Sequence, residues 1–431
     1  MSLRELISPE RAELPTAPFA RWASILFSLS VLTFLLSLAA AEAFLVAAAL
    51  VYAVHLLRVH PSIQFPPVKL PLGLFCLTTV ISLAWAANPT VGWFAVRKLV
   101  LFLVLLLAVN LVVSVGHLTL LYRTLFLESA LAGLVAAFQF VRQYRAVRGL
   151  HPGRVYFYMT ATRIHGFMGH WMHFGGQQML MWSALVAFLL LGVRRTMKSR
   201  VVWFAVAGVV ALSIILNFTR GVWLGCFVAT VYLVGRWRAR WLWVLPVLVI
   251  AGYFAAPGLV RRRVAILRHP ASDPALSIRF EMWRAGLRMI ERHPLVGVGP
   301  DNIVEVYSLY LPPGRAPEVG YHEHLHDNFL QFAAERGLPC LVAWVWLMVA
   351  LVVQAWRIRR RLATDPASAG APLVWLVDGA IAGWLALMIE GCFEFNFGTS
   401  PVLEVFLFVA ATPYVVEQLA AARQSCGVGA R

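Results

Sequence analysis

Long apolar segments alternate with short polar connections along most of the chain. A helix needs roughly 20 apolar residues to cross the hydrocarbon core of a bilayer, and twelve segments approach that length. The pattern therefore predicts an all-α polytopic membrane protein with about twelve transmembrane helices. The predicted spans are residues 22–40, 42–57, 70–87, 99–115, 124–141, 175–193, 201–218, 221–235, 242–256, 338–356, 373–391 and 401–417.

Basic residues concentrate on alternate connections between these spans. Since cytoplasmic loops collect Lys and Arg, this alternation predicts a cytoplasmic N-terminus and places the longest connection on the outer side. Three regions follow: an N-terminal transmembrane region of about nine helices (1–256), a long outer loop with helical stretches (257–337), and a C-terminal region of about three helices with a short tail (338–431).

The composition agrees with this class, because 60% of the residues are hydrophobic, 13% are charged and the mean hydropathy is +0.75. A soluble domain has about twice that charged fraction, so a soluble enzyme, a secreted disulfide scaffold and a disordered chain are excluded. The net charge of +17 does not predict a nucleic-acid partner, because membrane proteins collect positive charge for orientation. Most of the basic residues are arginine, which indicates either GC-rich coding or recognition of phosphate and carboxylate groups.

Two connections that are predicted on the outer side carry arginines, although the orientation rule places basic residues on the cytoplasmic side. Residues 142–170 contain no acidic residue, and Arg220 lies in a tight turn between two apolar segments. An arginine at that depth is costly unless it is paired or faces water. Phospholipid headgroups are one partner for these charges, and a bound polyanionic substrate is the other. The arginines of the first connection are Arg142, Arg145, Arg148, Arg154 and Arg163.

The long outer loop contains a helical pattern from Ser277 to about Arg292, which ends at a turn rich in glycine and proline. Its periodicity places Arg279 on one face and both Arg284 and Arg288 on another. Such a pattern fits either an amphipathic helix on the membrane surface or part of an anion-binding site.

Three histidines follow within five residues. His322-Glu323-x-x-His326 matches the pattern of zinc proteases, in which a helix places two histidines on one metal ion. Prolines and glycines precede the cluster, however, and Asp327 or Asn328 is suited to cap the next helix. The histidines then lie ahead of that helix, where a histidine facing a polar cavity is better placed as a general base. A zinc site is the alternative interpretation.

The candidate residues fall on one side of the predicted membrane topology. Glu390 and Glu394 lie in the last outer connection, where they are suited to pair with arginines. Arg163, Arg220 and Arg279 lie on the same outer face, as does the histidine cluster, so we expect a single site. An anion transporter would favour charges near the midplane and internal repeats, and the sequence shows neither.

Five motifs, in this order, resemble the O-antigen ligase and polymerase superfamily of bacterial inner membranes. They are spread over residues 163–400, on connections that the topology places outside. Together they are specific to the superfamily. The motifs are Arg163-Ile164-His165-Gly166-Phe167; Thr219-Arg220-Gly221; Arg279 to Trp283 with His293-Pro294-Leu295-Val296-Gly297-Val298-Gly299; His326-Asp327-Asn328-Phe329-Leu330-Gln331 with Glu335-x-Gly337; and Glu394-x-Asn396.

The resemblance implies an architecture similar to the GT-C-like glycosyltransferases of lipid-linked glycans, in the inner membrane of a Gram-negative bacterium. It implies glycan transfer from undecaprenyl diphosphate to an acceptor sugar hydroxyl on the periplasmic face, with inversion and with neither metal nor other cofactor. His326 is then the general base, while Arg220 and Arg279 bind the diphosphate. The other residues expected at the substrates are Arg163, His170, His324, Arg284, Arg288 and Glu394.

The resemblance favours an O-antigen ligase, whose acceptor is lipid A–core. Membrane lipids are expected as further partners of the protein. An O-antigen polymerase, which uses a lipid-linked glycan as acceptor, and a protein O-glycan transferase are the alternatives within the superfamily. An anion transporter and a membrane zinc protease are the alternatives from other classes of protein.

Overall fold

The structure is a computed structural model that describes residues 12–192, 196–266, 274–315, 324–364 and 373–428. These residues are predominantly helical and include no β-strand, which confirms the all-α prediction. In a bilayer a helix pairs every backbone polar group within its own segment. The helices are α1 (Pro18–Val31), α2 (Leu38–Val59), α3 (Lys69–Leu83), α4 (Pro89–Arg97), α5 (Leu103–Leu111), α6 (Val115–Leu150), α7 (Val155–Ala161), α8 (Trp171–Leu191), α9 (Met197–Leu216), α10 (Arg220–Arg238), α11 (Val244–Ala255), α12 (Gly258–Ala265), α13 (Pro274–Arg292), α14 (Ile303–Val306), α15 (Asn328–Thr364), α16 (Val374–Glu390) and α17 (Ser400–Val428).

Eight helical segments in the described part of the chain are long and apolar enough to cross a membrane, as expected for a multi-pass membrane protein. Nine of the twelve predicted spans lie on these eight segments, because 221–235 and 242–256 share the continuous stretch Arg220–Ala255. The other three lie on the shorter helices α1, α3 and α16, of 14, 15 and 17 residues. Twelve membrane crossings and a GT-C-like architecture stay predictions, as does the division into three regions.

Several helices begin or end at residues other than those predicted, and two of these differences change the description of the chain. The span predicted at 124–141 is the middle of α6, which continues to Leu150, so three of the arginines assigned to the outer connection lie on this helix. No proline lies between Val115 and Pro152 to end this helix earlier. The span predicted at 22–40 contains a break after Val31, because the Ser37 hydroxyl accepts a hydrogen bond from the Ala40 amide and starts α2.

The centre of the bundle is built from α8, α16 and α17. In the most apolar stretches of α8 and of α17, 78% of the residues are buried. Helix α16 packs against both α8 and α10. An aromatic cluster fills the contact, with the Phe188 ring 5.0 Å from Trp375 and 5.2 Å from Trp203 between ring centroids. Since lipid is as apolar as these side chains, close packing supplies the stability. This packing holds α8, α10 and α16 against one another.

A break in α15 fixes the turn that follows α13. Gly337 has a φ of 81° and interrupts the helix, which leaves the preceding carbonyl groups without partners in their own helix. The amides of Val298 and Gly299 donate to the carbonyls of Ala334 and Glu335 at 2.9 and 2.8 Å. The glycine- and proline-rich turn therefore closes the first part of α15 and joins it to the end of α13.

This contact leaves no space for a side chain at Gly297, which has a φ of 68°. A Cβ atom there would lie 2.2 Å from the carbonyl carbon of Glu335, whereas Gly314, with a φ of 78°, has no atom within 4 Å. We expect Gly314→Ala to lower the free energy of unfolding by about 1–2 kcal/mol, the cost of a left-handed backbone for a residue other than glycine. Gly297→Ala should lower it clearly more. Thermal unfolding of both purified variants measures the difference, and equal losses would contradict this packing.

Candidate active site

Four connections meet at one end of the bundle. The Asn217 side chain, in the turn before α10, donates to the carbonyls of Ile164 and Trp171 at 3.1 and 3.0 Å. The Asn328 side chain, at the start of α15, donates to Asn396 Oδ1 at 2.7 Å. These buried amides join the connection before α8 to the turn before α10, and the start of α15 to the connection after α16.

Glu394 lies at the centre of the site and is 2% exposed. Its Oε1 accepts a hydrogen bond from Arg279 Nη2, and its Oε2 lies 2.7 Å from His326 Nδ1. Burial by itself would raise the pKa of this carboxyl, but His326, Arg279 and Arg163 outweigh burial and hold its pKa below the ordinary value. Glu394 is therefore an ionised carboxylate that joins the predicted base to a predicted diphosphate ligand.

His326 has an unusual backbone conformation, with a φ of 52°. It lies just before α15, where the Asp327 carboxylate accepts a hydrogen bond from the Leu330 amide at 2.8 Å and so caps the helix, as predicted. An ionised Glu394 requires Nδ1 of a neutral His326 to carry the proton, and this assignment leaves the lone pair on Nε2. The geometry thus suits His326 to accept a proton at Nε2.

Arg163 is held by residues of α7, of α8 and of the turn before α10. Its Nε donates to the Thr160 carbonyl at 2.9 Å, its Nη1 donates to Thr219 Oγ1 at 3.4 Å, and its guanidinium carbon lies 3.8 Å from the centroid of the Trp171 ring. Burial, as the largest cause, and neighbouring cations together lower the pKa of Arg163 to about 9.

Three other arginines lie near Arg163. Arg263, Arg279 and Arg220 each lower the pKa of Arg163, and the Glu394 charge only partly offsets them. Arg220 is the first residue of α10, so the positive end of a helix dipole adds to the same region. A bound anion would relieve the repulsion among these cations. We call Arg163, Arg220, Arg263 and Arg279 the arginine group.

Arg263 was not among the residues predicted for the site. It lies on α12, is 9% exposed, and donates from Nε to the Phe218 carbonyl at 3.1 Å. The sequence shows three consecutive arginines at 261–263, but only the phase of the short helix decides which one faces inward. Lys98 was also missed, and it donates to the Gly398 carbonyl at 3.1 Å in the connection that carries Glu394.

The other predicted residues lie at different distances from this centre. The His324 ring packs 5.4 Å from the Phe395 ring, and His170 caps α8 through Nδ1, which accepts from the Met172 amide at 3.3 Å. Arg284 lies on the exposed side of α13, and Arg288 donates to the Tyr310 carbonyl. The structure therefore brings Arg163, Arg220, Arg279, His326 and Glu394 together, but gives Arg284 and Arg288 other surroundings.

The zinc-protease pattern is only partly within the described residues, because His322 and Glu323 lie outside them. Among the residues that the structure does describe, no group of three or more His, Cys, Asp or Glu side chains is placed to hold a metal ion.

A family model described as O-antigen ligase matches residues 205–345. This match covers about a third of the chain and supports membership of the O-antigen ligase superfamily. No curated protein matches the chain. The matched region contains Arg220, Arg279 and His326, whereas Arg163 and Glu394 lie on either side of the match. The resemblance predicted from the motifs is confirmed, and it implies ligase-type glycosyl transfer in the broad sense, with lipid-linked glycans as the class of substrate.

Proposed function

We propose that this protein is an O-antigen ligase that transfers a glycan from undecaprenyl diphosphate to a sugar hydroxyl of lipid A–core. The observation that carries the proposal is the position of Glu394, which contacts His326 through one oxygen and Arg279 through the other. A site for this transfer needs a base for the acceptor and cations for the donor, and both meet at this carboxylate.

In the proposed reaction, the acceptor hydroxyl gives its proton to Nε2 of His326 while its oxygen attacks the anomeric carbon of the donor sugar. The bond between that carbon and the diphosphate oxygen breaks, and undecaprenyl diphosphate leaves with the electron pair. This single displacement inverts the anomeric centre. Glu394 orients the ring and stabilises the imidazolium that forms, as the carboxylate does in a histidine–carboxylate pair.

The arginine group is proposed to bind the donor diphosphate. Guanidinium groups bind phosphate oxygens in a bidentate manner, and they stabilise the negative charge that develops on the leaving group. In this role they replace a metal ion. The depressed pKa of Arg163 supports the proposal, because it indicates that the cations gain from a bound anion. Arg284 and Arg288 stay second-rank candidates for substrate contacts, as do His170 and His324.

The proposed location is the inner membrane of a Gram-negative bacterium, with the site on the periplasmic face. Undecaprenyl diphosphate and lipid A–core are both amphiphiles, so each presents its reacting group at the membrane surface. The site supports this placement, because its residues lie in connections at the ends of apolar helices, beside Arg220 at the start of one membrane-crossing segment.

Glycan transfer by the purified protein tests the proposal. In detergent, with an undecaprenyl-diphosphate-linked glycan and lipid A–core, we expect a glycosylated lipid A–core and free undecaprenyl diphosphate, with the same yield in the presence of a chelator. Transfer between two detergent-solubilised lipids needs no second compartment, so it would exclude transport as its basis. Activity that is lost to a chelator and restored by zinc would contradict the metal-free mechanism.

A deletion strain separates the ligase from the polymerase. Loss of a ligase leaves long lipid-linked polymer and unmodified lipid A–core, whereas loss of a polymerase leaves core that bears a single repeat. We expect the first pattern on a gel of the extracted glycolipids, and the second pattern would assign the protein to the polymerase.

A further inference from the structure

The backbone of Leu325, the residue before His326, is held on both sides. The indole Nε1 of Trp283 donates to the Leu325 carbonyl at 3.0 Å, and the Leu325 amide donates to Gln331 Oε1 at 2.7 Å. Both polar groups of this residue are therefore satisfied by side chains instead of by secondary structure. Trp283 therefore fixes the peptide group between Leu325 and His326, and Gln331 fixes the peptide group between His324 and Leu325.

Trp283, one of the two residues that hold Leu325, lies on the same helix as Arg279. Trp283 follows Arg279 by four residues on α13, so the two side chains share a face of that helix. Leu325 is fully buried, and a Cβ atom on Gly286 would lie 2.6 Å from Leu325 Cδ1. Leu325 is thus packed closely against α13, which leaves little freedom for the residue that follows it.

The Gln331 side is anchored in α15. Gln331 is fully buried, and its Nε2 donates to Glu335 Oε1 at 2.7 Å. The Glu335 carbonyl accepts from Ser82 Oγ at 2.9 Å and from the Gly299 amide at 2.8 Å. The contact to Leu325 is therefore linked through hydrogen bonds to the break of α15 and to α3.

We propose that Trp283 and Gln331 are positioning residues for His326. A positive φ has a conformational cost for a residue other than glycine. In this proposal, the fixed backbone of Leu325 holds His326 at its φ of 52°. This conformation directs the ring to Glu394, where Nδ1 and Oε2 are 2.7 Å apart. The inference rests on the proposed function, because it explains the fixed backbone by the role of His326 as the general base.

Trp283→Phe removes the indole N–H and keeps an aromatic ring, so it tests the hydrogen bond itself. The matched control is Trp384→Phe, because Trp384 Nε1 also donates to a backbone carbonyl, that of Met348, at 2.9 Å and is also half-buried, but it lies away from the site. Both variants are compared with the wild-type protein for kcat of glycan transfer, for its pH profile and for undecaprenyl diphosphate affinity.

We expect Trp283→Phe to lower kcat about 10- to 100-fold, since a misplaced catalytic group costs that much, with donor affinity unchanged within about twofold. The apparent pKa in the pH profile of kcat should shift, because the base no longer keeps its fixed contact with Glu394. Trp384→Phe should match the wild type in kcat and in the pH profile. Equal kcat values for the two variants, with an unshifted profile, would overturn the proposal.

Gln331→Met breaks the other contact and serves as a second, independent test of the same expectation. A thermal unfolding midpoint is measured for every variant, so that a loss of kcat at an unchanged midpoint cannot be attributed to loss of folded protein. If the wild-type protein itself transfers no glycan, the proposed function fails. If the wild type is active and neither variant lowers kcat, only the positioning role fails.

Discussion

His326→Ala is expected to lower glycan transfer by about 10²–10⁴-fold, the usual cost of removing a general base. Binding of undecaprenyl diphosphate should stay nearly intact, because the imidazole acts on the acceptor hydroxyl and the donor diphosphate is held by the arginine group. The loss should appear in kcat, with little change in the apparent affinity for the donor. Transfer rates and equilibrium binding of undecaprenyl diphosphate to the purified variant measure the two effects separately.

His60→Ala is the control for this substitution. His60 is an exposed histidine that follows α2 and has a similar backbone conformation, with a φ of 51°, but it belongs to none of the motifs, so its loss should leave both quantities unchanged. Should His326→Ala abolish donor binding while its transfer rate per bound donor is preserved, His326 would be a ligand of the diphosphate and not the base.

Arg279→Ala is expected to weaken donor binding about 10- to 100-fold, the range for losing hydrogen bonds to a charged group, and to lower turnover as well. Arg279→Lys should restore only part of the affinity, because an ammonium group keeps the charge without the planar fork of donors. Arg220→Ala should behave in the same way. Undecaprenyl diphosphate binding, measured together with transfer, distinguishes these variants from His326→Ala.

Arg292→Ala is the matched control on the same helix. Arg292 is exposed at the end of α13, with its guanidinium 5.3 Å from the Tyr310 ring centroid, so its replacement removes one positive charge without touching the site. A general effect of net charge would lower donor affinity in Arg292→Ala as much as in Arg279→Ala. Retained affinity in both Arg279→Ala and Arg220→Ala, with affinity lost in His326→Ala, would reverse the roles that we propose.

The sequence alone was enough to predict the class of fold and the parts of the site. Apolar length determines which segments form helices in a membrane, so each predicted span overlaps a helix. The ends of helices were harder to predict, as α6 shows, because an amphipathic extension such as 142–150 has no apolar signal. The superfamily was also predictable, since its motifs depend on local residue order.

Long-range packing determined the arrangement of the site. Glu394 is separated from His326 by 68 residues and from Arg279 by 115 residues, and no local pattern shows that one carboxylate contacts both. The sequence indicated only that Glu394 would lie near arginines. Its second contact depends on the left-handed backbone of His326, which itself depends on the side chains that hold Leu325.

Residue order thus determined the helices, the motifs and the superfamily of this protein, because these follow from apolar length and from short-range spacing. Only the tertiary structure decided which arginines face the site, as Arg263 and Arg284 illustrate. Both residues lie on helices of the connection predicted at 257–337, yet one is buried beside Arg163 and the other is exposed on α13. The physical reason is that the rotation of each helix is set by the surface against which it packs, and that surface comes from distant parts of the chain.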